Sequence, residues 1–213
     1  MITFPRDLPD GIGFTPARFR LTESVYATGT DGGALAHMET SSPAWTITFA
    51  TEPMNEGQVQ AFEAWRETLR GGIGRVVATQ NVTCRPAAHD AAANAAPAQL
   101  AGTVDSVDGA SVAVTGIDPA LHLMPGDLCG FVLVSAGTTL RALARVAEES
   151  APGSANRTIA FTRPPRTYAC AAGASIVFEN PLLLMTTPSG AASFRLSSDD
   201  FPTASFDLVE VMA

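Results

Sequence analysis

Three histidines, three cysteines and one adjacent aspartate pair are the side chains of this sequence best suited to chemistry. His37, His89 and His122 lie far apart, and none is within helical reach of another. A metal site would need ligands gathered from three separate segments, so the spacing reads as turn or surface histidines. Cys84 and His89, five positions apart, are the nearest thing to a thiol nucleophile with its base, but the alanine- and proline-rich stretch around them offers no shared element. Cys84, Cys129 and Cys170 are odd in number and include no CxxC pair. That is neither a disulfide framework nor a zinc ribbon, and it reads as small buried hydrophobes in a reducing compartment. Asp199-Asp200, preceded by Ser197 and Ser198, could help hold calcium, yet no EF-hand spacing surrounds it and a solvated loop is the simpler reading.

The remaining signals point away from an active site. There is no GxSxG and no HExxH. Gly11-Ile12-Gly13 lacks the third glycine, the preceding strand and the following helix of a dinucleotide site. All thirteen basic residues are arginine, which removes a P-loop or Schiff-base lysine from consideration. No spacing suggests the paired carboxylates of a glycosidase. Trp45, Trp65 and Tyr168 could form a sugar-stacking platform, but the two tryptophans sit at positions that read as core. Arg141, Arg145, Arg157, Arg163 and Arg166 gather where few aromatics accompany them, which suits interface or salt-bridging arginines better than single-strand binding. The expectation is a non-enzyme with no catalytic residue, no cofactor and no metal.

The side chains just named must be carried by the elements around them. A chain of 213 residues, 46% hydrophobic and 16% charged, folds as one large domain or two small ones. Its net charge of −8 gives no global reason to bind DNA or an anionic membrane. The start, punctuated by Pro5, Pro9, Gly11 and Gly13, is no signal peptide, and no apolar run reaches the roughly 20 residues of a bilayer span. A soluble product made in a cytosol is expected, with Asn81 and Asn156 as chance glycosylation sequons.

One helix is expected over 56–70. Val59, Phe62, Trp65 and Leu69 share a face, Asn55 and Gln58 form a capping box, and Gly71-Gly72 stops it. Otherwise the pattern is short strands: 17–26, 35–40, 45–51 and 75–83, then a hairpin over Asp108-Gly109. Strands follow at 131–134, 140–146, 158–162 and 175–178, and finally at 180–187, 192–197 and 205–211. Pro86 to Ala101, with nine alanines in sixteen residues, reads as a linker or crossover.

The fold class expected is therefore mainly β: a β-rich α+β N-terminal domain of sheet and one helix, with an inserted or appended small OB-like β-barrel. The domains run over 1–90 plus 185–213 and over 98–184. Insertion is favoured because three terminal strands alone cannot bury a core.

The order of segments resembles the distal tail proteins of long-tailed bacteriophages and related tail-tip baseplate components. The likeness runs from Ile2-Thr-Phe-Pro5 through Trp45-Thr-Ile-Thr-Phe49 and the Phe62 to Gly72 helix. It continues with Leu123-Met-Pro125-Gly126-Asp127, Arg145-Val146, Phe161 to Arg166, Pro188-Ser-Gly190 and Phe194-Arg-Leu196. The resemblance implies a homo-hexameric ring that joins the tail tube to the tip hub and contacts tape measure and receptor-binding proteins. DNA would pass through the ring without specific binding, and no membrane would be involved. It implies assembly in the host bacterial cytoplasm and a final place in the virion tail tip. No catalytic or cofactor residue carries over from it. The absence of tryptophan in the second half departs from relatives that bind sugar. A carbohydrate-binding accessory module aiding host attachment is the alternative. A wall hydrolase using Asp199, Asp200, His89 or Cys84 is the third reading.

Overall fold

The structure, a computed structural model, describes residues 4–29, 35–82, 84–89, 100–188, 194–197 and 201–212. Its strands form two antiparallel sheets, and the chain divides into two compact units. One is built chiefly from Pro9–Arg75 and Met185–Val211, the other from Pro5–Leu8 and Val76–Leu184. The first unit is thus discontinuous in sequence, and the second is drawn mostly from the chain between its halves. The fold is mainly β, with a single α-helix among the described residues.

In the first unit β1 (Arg20–Gly29) pairs with β2 (Leu35–Ala50). The helix α1 (Glu56–Thr68) comes next in the chain. Alternation along β2 sends Trp45, Ile47 and Phe49 inward. The C-terminal strand running Ala204–Glu210 pairs with Thr46–Ala50 of β2, which sets Phe206 across from Phe49 and Leu208 across from Ile47. Phe206 is the hub of this core. Its ring lies 5.6 Å from Phe49, 5.7 Å from Phe62 and 5.5 Å from Trp65, so it touches both the sheet and the apolar face of α1.

The helix begins as its sequence requires. Asn55 Oδ1 accepts the Gln58 N–H at 3.0 Å, and Gln58 Oε1 accepts the Asn55 N–H at 2.9 Å. It ends at Thr68, two residues before the expected Arg70. Arg70 takes φ 49°, outside the helical region, and a tight 3-10 turn over Arg70–Gly72 follows. Gly72 has φ 110°, and a Cβ there would lie 2.7 Å from the Thr187 carbonyl oxygen. Thr186 Oγ1 donates to the Gly72 carbonyl at 2.6 Å. The second glycine is therefore required for close approach to the returning chain, as well as for the stop.

The second unit holds β3 (Val76–Ala78), β4 (Ala101–Asp108), β5 (Ser111–Thr115), β6 (Leu128–Ser135), β7 (Thr138–Arg145), β8 (Arg157–Ala160) and β9 (Ser175–Val177). The last six form one sheet in the order β7-β6-β9-β4-β5-β8. Its core includes Val104, Val112, Phe131, Ile159, Phe161, Ile176 and Phe178. The remaining strands of the chain are β10 (Leu183–Thr186), β11 (Phe194–Leu196) and β12, the Ala204–Glu210 strand already described.

The small OB-like barrel expected here is a six-stranded antiparallel sheet that curls without fully closing. Its two edges meet at an antiparallel bridge between Val146 and Phe161, flanked by Ala147 N–H to Ala160 O at 2.8 Å and Thr162 N–H to Arg145 O at 2.9 Å. The strand β8 has four residues, and Pro164-Pro165 soon after it supply no N–H with which to extend the seam.

Candidate functional site

Among the described residues, the structure does not bring Cys84, His89 and His122 together as a nucleophile with its base. His89 is buried, and its Nε2 accepts the His122 backbone N–H at 2.8 Å. Its Nδ1 has no hydrogen-bond partner, so neither ring nitrogen is bonded to Cys84. Cys84 Sγ accepts from Gln80 Nε2 at 3.2 Å. The His122 ring turns the other way and meets Glu149 Oε1 at 2.8 Å. His37 lies on β2 opposite Ala27, in the other unit. No group of three His, Cys, Asp or Glu among the described residues is placed to hold a metal ion. Asp199 and Asp200 lie outside the described residues.

The other two cysteines are buried, and burial raises both thiols. Cys170 is pushed up to about 12, and Cys129 rises well above its ordinary value, with Asp127 and Cys84 adding to the effect of burial. Neither is a ready nucleophile. Trp45 and Trp65 are core side chains, which removes them from any exposed sugar platform. Arg157 is held by carbonyls: its guanidinium donates to Ala151 O at 2.5 Å and Asp118 O at 3.1 Å. Arg145 donates to Gly126 O at 2.7 Å. These two arginines tie loops together and so are committed within the fold.

In the sequence Asp127 stands out only as part of a turn. It is buried, and its two carboxylate oxygens accept the Ala87 N–H at 2.9 Å and the Met124 N–H at 2.7 Å. The Pro125-Gly126-Asp127 turn was the available signal, since aspartate in turns bonds nearby backbone donors. The long-range bond to Ala87 carries no sequence signal.

The feature that no internal contact explains lies on the first unit. Strand β2 is one continuous strand of 16 residues, and β12 pairs only with its last part, Thr46–Ala50. The stretch before it pairs with β1 alone among the described residues, as a two-stranded arm. At about 3.3 Å per residue, Leu35 to Ala44 span roughly 30 Å. Within the arm Tyr26 faces Met38 in register, and they are 60% and 64% exposed. Ser24 Oγ and Thr40 Oγ1 bond at 2.7 Å, and Thr22 and Thr46 hydroxyls at 3.0 Å, so hydroxyls link the two strands along the arm.

No protein-family model matches the chain, and no curated protein matches it.

Proposed function

We propose that this protein is a structural component of the tail tip of a long-tailed bacteriophage. In this reading copies assemble into a homo-hexameric ring that joins the tail tube to the tip hub. The observation that carries it is the exposed Tyr26–Met38 pair on a two-stranded arm. An isolated two-stranded ribbon is marginal in water, and an apolar cross-strand pair on it gains its stabilisation only when covered. A neighbouring copy in a ring supplies that cover. The segment order that resembles distal tail proteins supports the same reading, as does a mainly β chain in which His89, His122 and Asp127 are engaged in folding contacts.

The test is the assembly state of the full-length chain by light scattering and negative-stain imaging. Rings are expected for the wild type. The double variant Tyr26→Glu, Met38→Glu is expected to be monomeric while keeping the far-UV circular dichroism of the folded wild type. A wild type that stays monomeric at high concentration overturns the proposal.

A further inference from the structure

The turn at Ala87–His89 is fastened to the loop leading into β6 by two devices of different chemistry. The Asp127 carboxylate accepts the N–H groups of Ala87 and Met124, and His89 Nε2 accepts the N–H of His122. A ring nitrogen that accepts carries no proton, so His89 holds its proton on Nδ1. That Nδ1 is buried with no hydrogen-bond partner, in a side chain that is 8% exposed overall. The site is matched to one protonation state and one tautomer. A second proton would set an N–H on Nε2 directly against the His122 N–H. It would also leave two donors and a buried positive charge without acceptors.

We propose that His89 is an acid-released latch: neutral, it ties the Ala87–His89 turn to the loop at His122, and protonated, it lets that loop go. The charged and titratable groups on the joined elements are few. Asp127 is the anion that would favour a charged ring, but both its oxygens are committed to backbone N–H groups. Glu149 is engaged by the His122 ring, and Leu123 beside it is bridged to Ser150 through two backbone bonds. Arg85, ahead of the turn, is paired with Glu179, and Cys84 precedes it. Asp118, earlier in the loop, accepts the Ala120 N–H through Oδ1, and its carbonyl receives Arg157. The bond to His89 is thus the contact in this set that protonation of the acceptor abolishes outright.

The experiment is amide hydrogen exchange by NMR on the full chain at pH 7.5 and 5.0, read as protection factors. The His122 amide is expected to be less protected at pH 5.0 than at pH 7.5, because a protonated Nε2 no longer accepts its N–H, while the Phe206 amide in β12 keeps its own. His89→Gln retains an acceptor that does not titrate, and the His122 amide should then be equally protected at both pH values. His122→Gln removes the ring's bond to Glu149 but keeps the backbone N–H, so the acid loss should persist. Equal protection of wild-type His122 at the two pH values overturns the latch, as does an equal acid loss in His89→Gln. Should His89→Gln fail to fold, the wild-type ring decides. Its nitrogen shifts must change over the same pH range as the protection, and protection lost while the ring stays neutral also overturns the proposal.

Discussion

Cys170 shows what burial does to a group that has no partner to compensate it. Its thiol is pushed up to about 12, whereas an unfolded thiol ionises near about 8.5. Between those values the folded chain holds a proton that the unfolded chain has released. The resulting stability is intact below about pH 8.5 and is lost as pH rises through the folded value. Urea denaturation at pH 7.5 and 10 should show the wild type weakening, and Cys170→Ala should flatten that slope. At pH 8 a thiol reagent should modify half-buried Cys84 first and reach Cys129 and Cys170 only after denaturant is added. Asp127 acts on the same scale by different physics. Asp127→Ala leaves two backbone N–H groups without acceptors and should cost about 2 kcal/mol in the urea midpoint analysis.

Among the elements, α1 and the arm respond to different substitutions. Asn55→Ala removes one half of the capping box and should cost about 1 kcal/mol, measured by thermal unfolding. Gly72→Ala should cost about 1–3 kcal/mol, because it combines a strained φ with a Cβ pressed onto the Thr187 carbonyl. The helix was legible in the sequence because every signal in it is local: the cap, the spacing of Phe62, Trp65 and Leu69, and the double glycine. The strand positions were mostly legible for the same reason, through alternation and turns. The arm was not. Thr40-Ser-Ser-Pro43 reads as a break between two strands, yet β2 runs through it. Pro43 falls where the register between β1 and β2 shifts, Thr22 facing Ala44 and Ser24 facing Ser41. In such a bulge, on a stretch that pairs with no third strand among the described residues, a missing N–H leaves no ladder bond unmade. The His89 and Asp127 fastenings were equally hidden, because each joins residues more than thirty positions apart whose types alone imply nothing about one another.

For the whole molecule the governing quantity is charge. Each copy carries −8, so a ring of six brings together about −48 of formal charge. In the proposed ring, acidic walls facing the channel would keep passing DNA from adhering. The same charge opposes the assembly that creates the channel, since identical acidic chains repel at distances within the Debye length. That length is about 30 Å at 0.01 M salt and about 10 Å at 0.1 M. Assembly carried by the apolar Tyr26–Met38 pair should therefore strengthen as salt rises. Sedimentation at 0.01 M and 0.15 M sodium chloride should show a larger assembled fraction at the higher concentration. The Tyr26→Glu, Met38→Glu double variant should stay monomeric at both. Rings that dissociate as salt rises would mean that complementary charged patches, with the apolar pair of the arm uninvolved, hold the copies together.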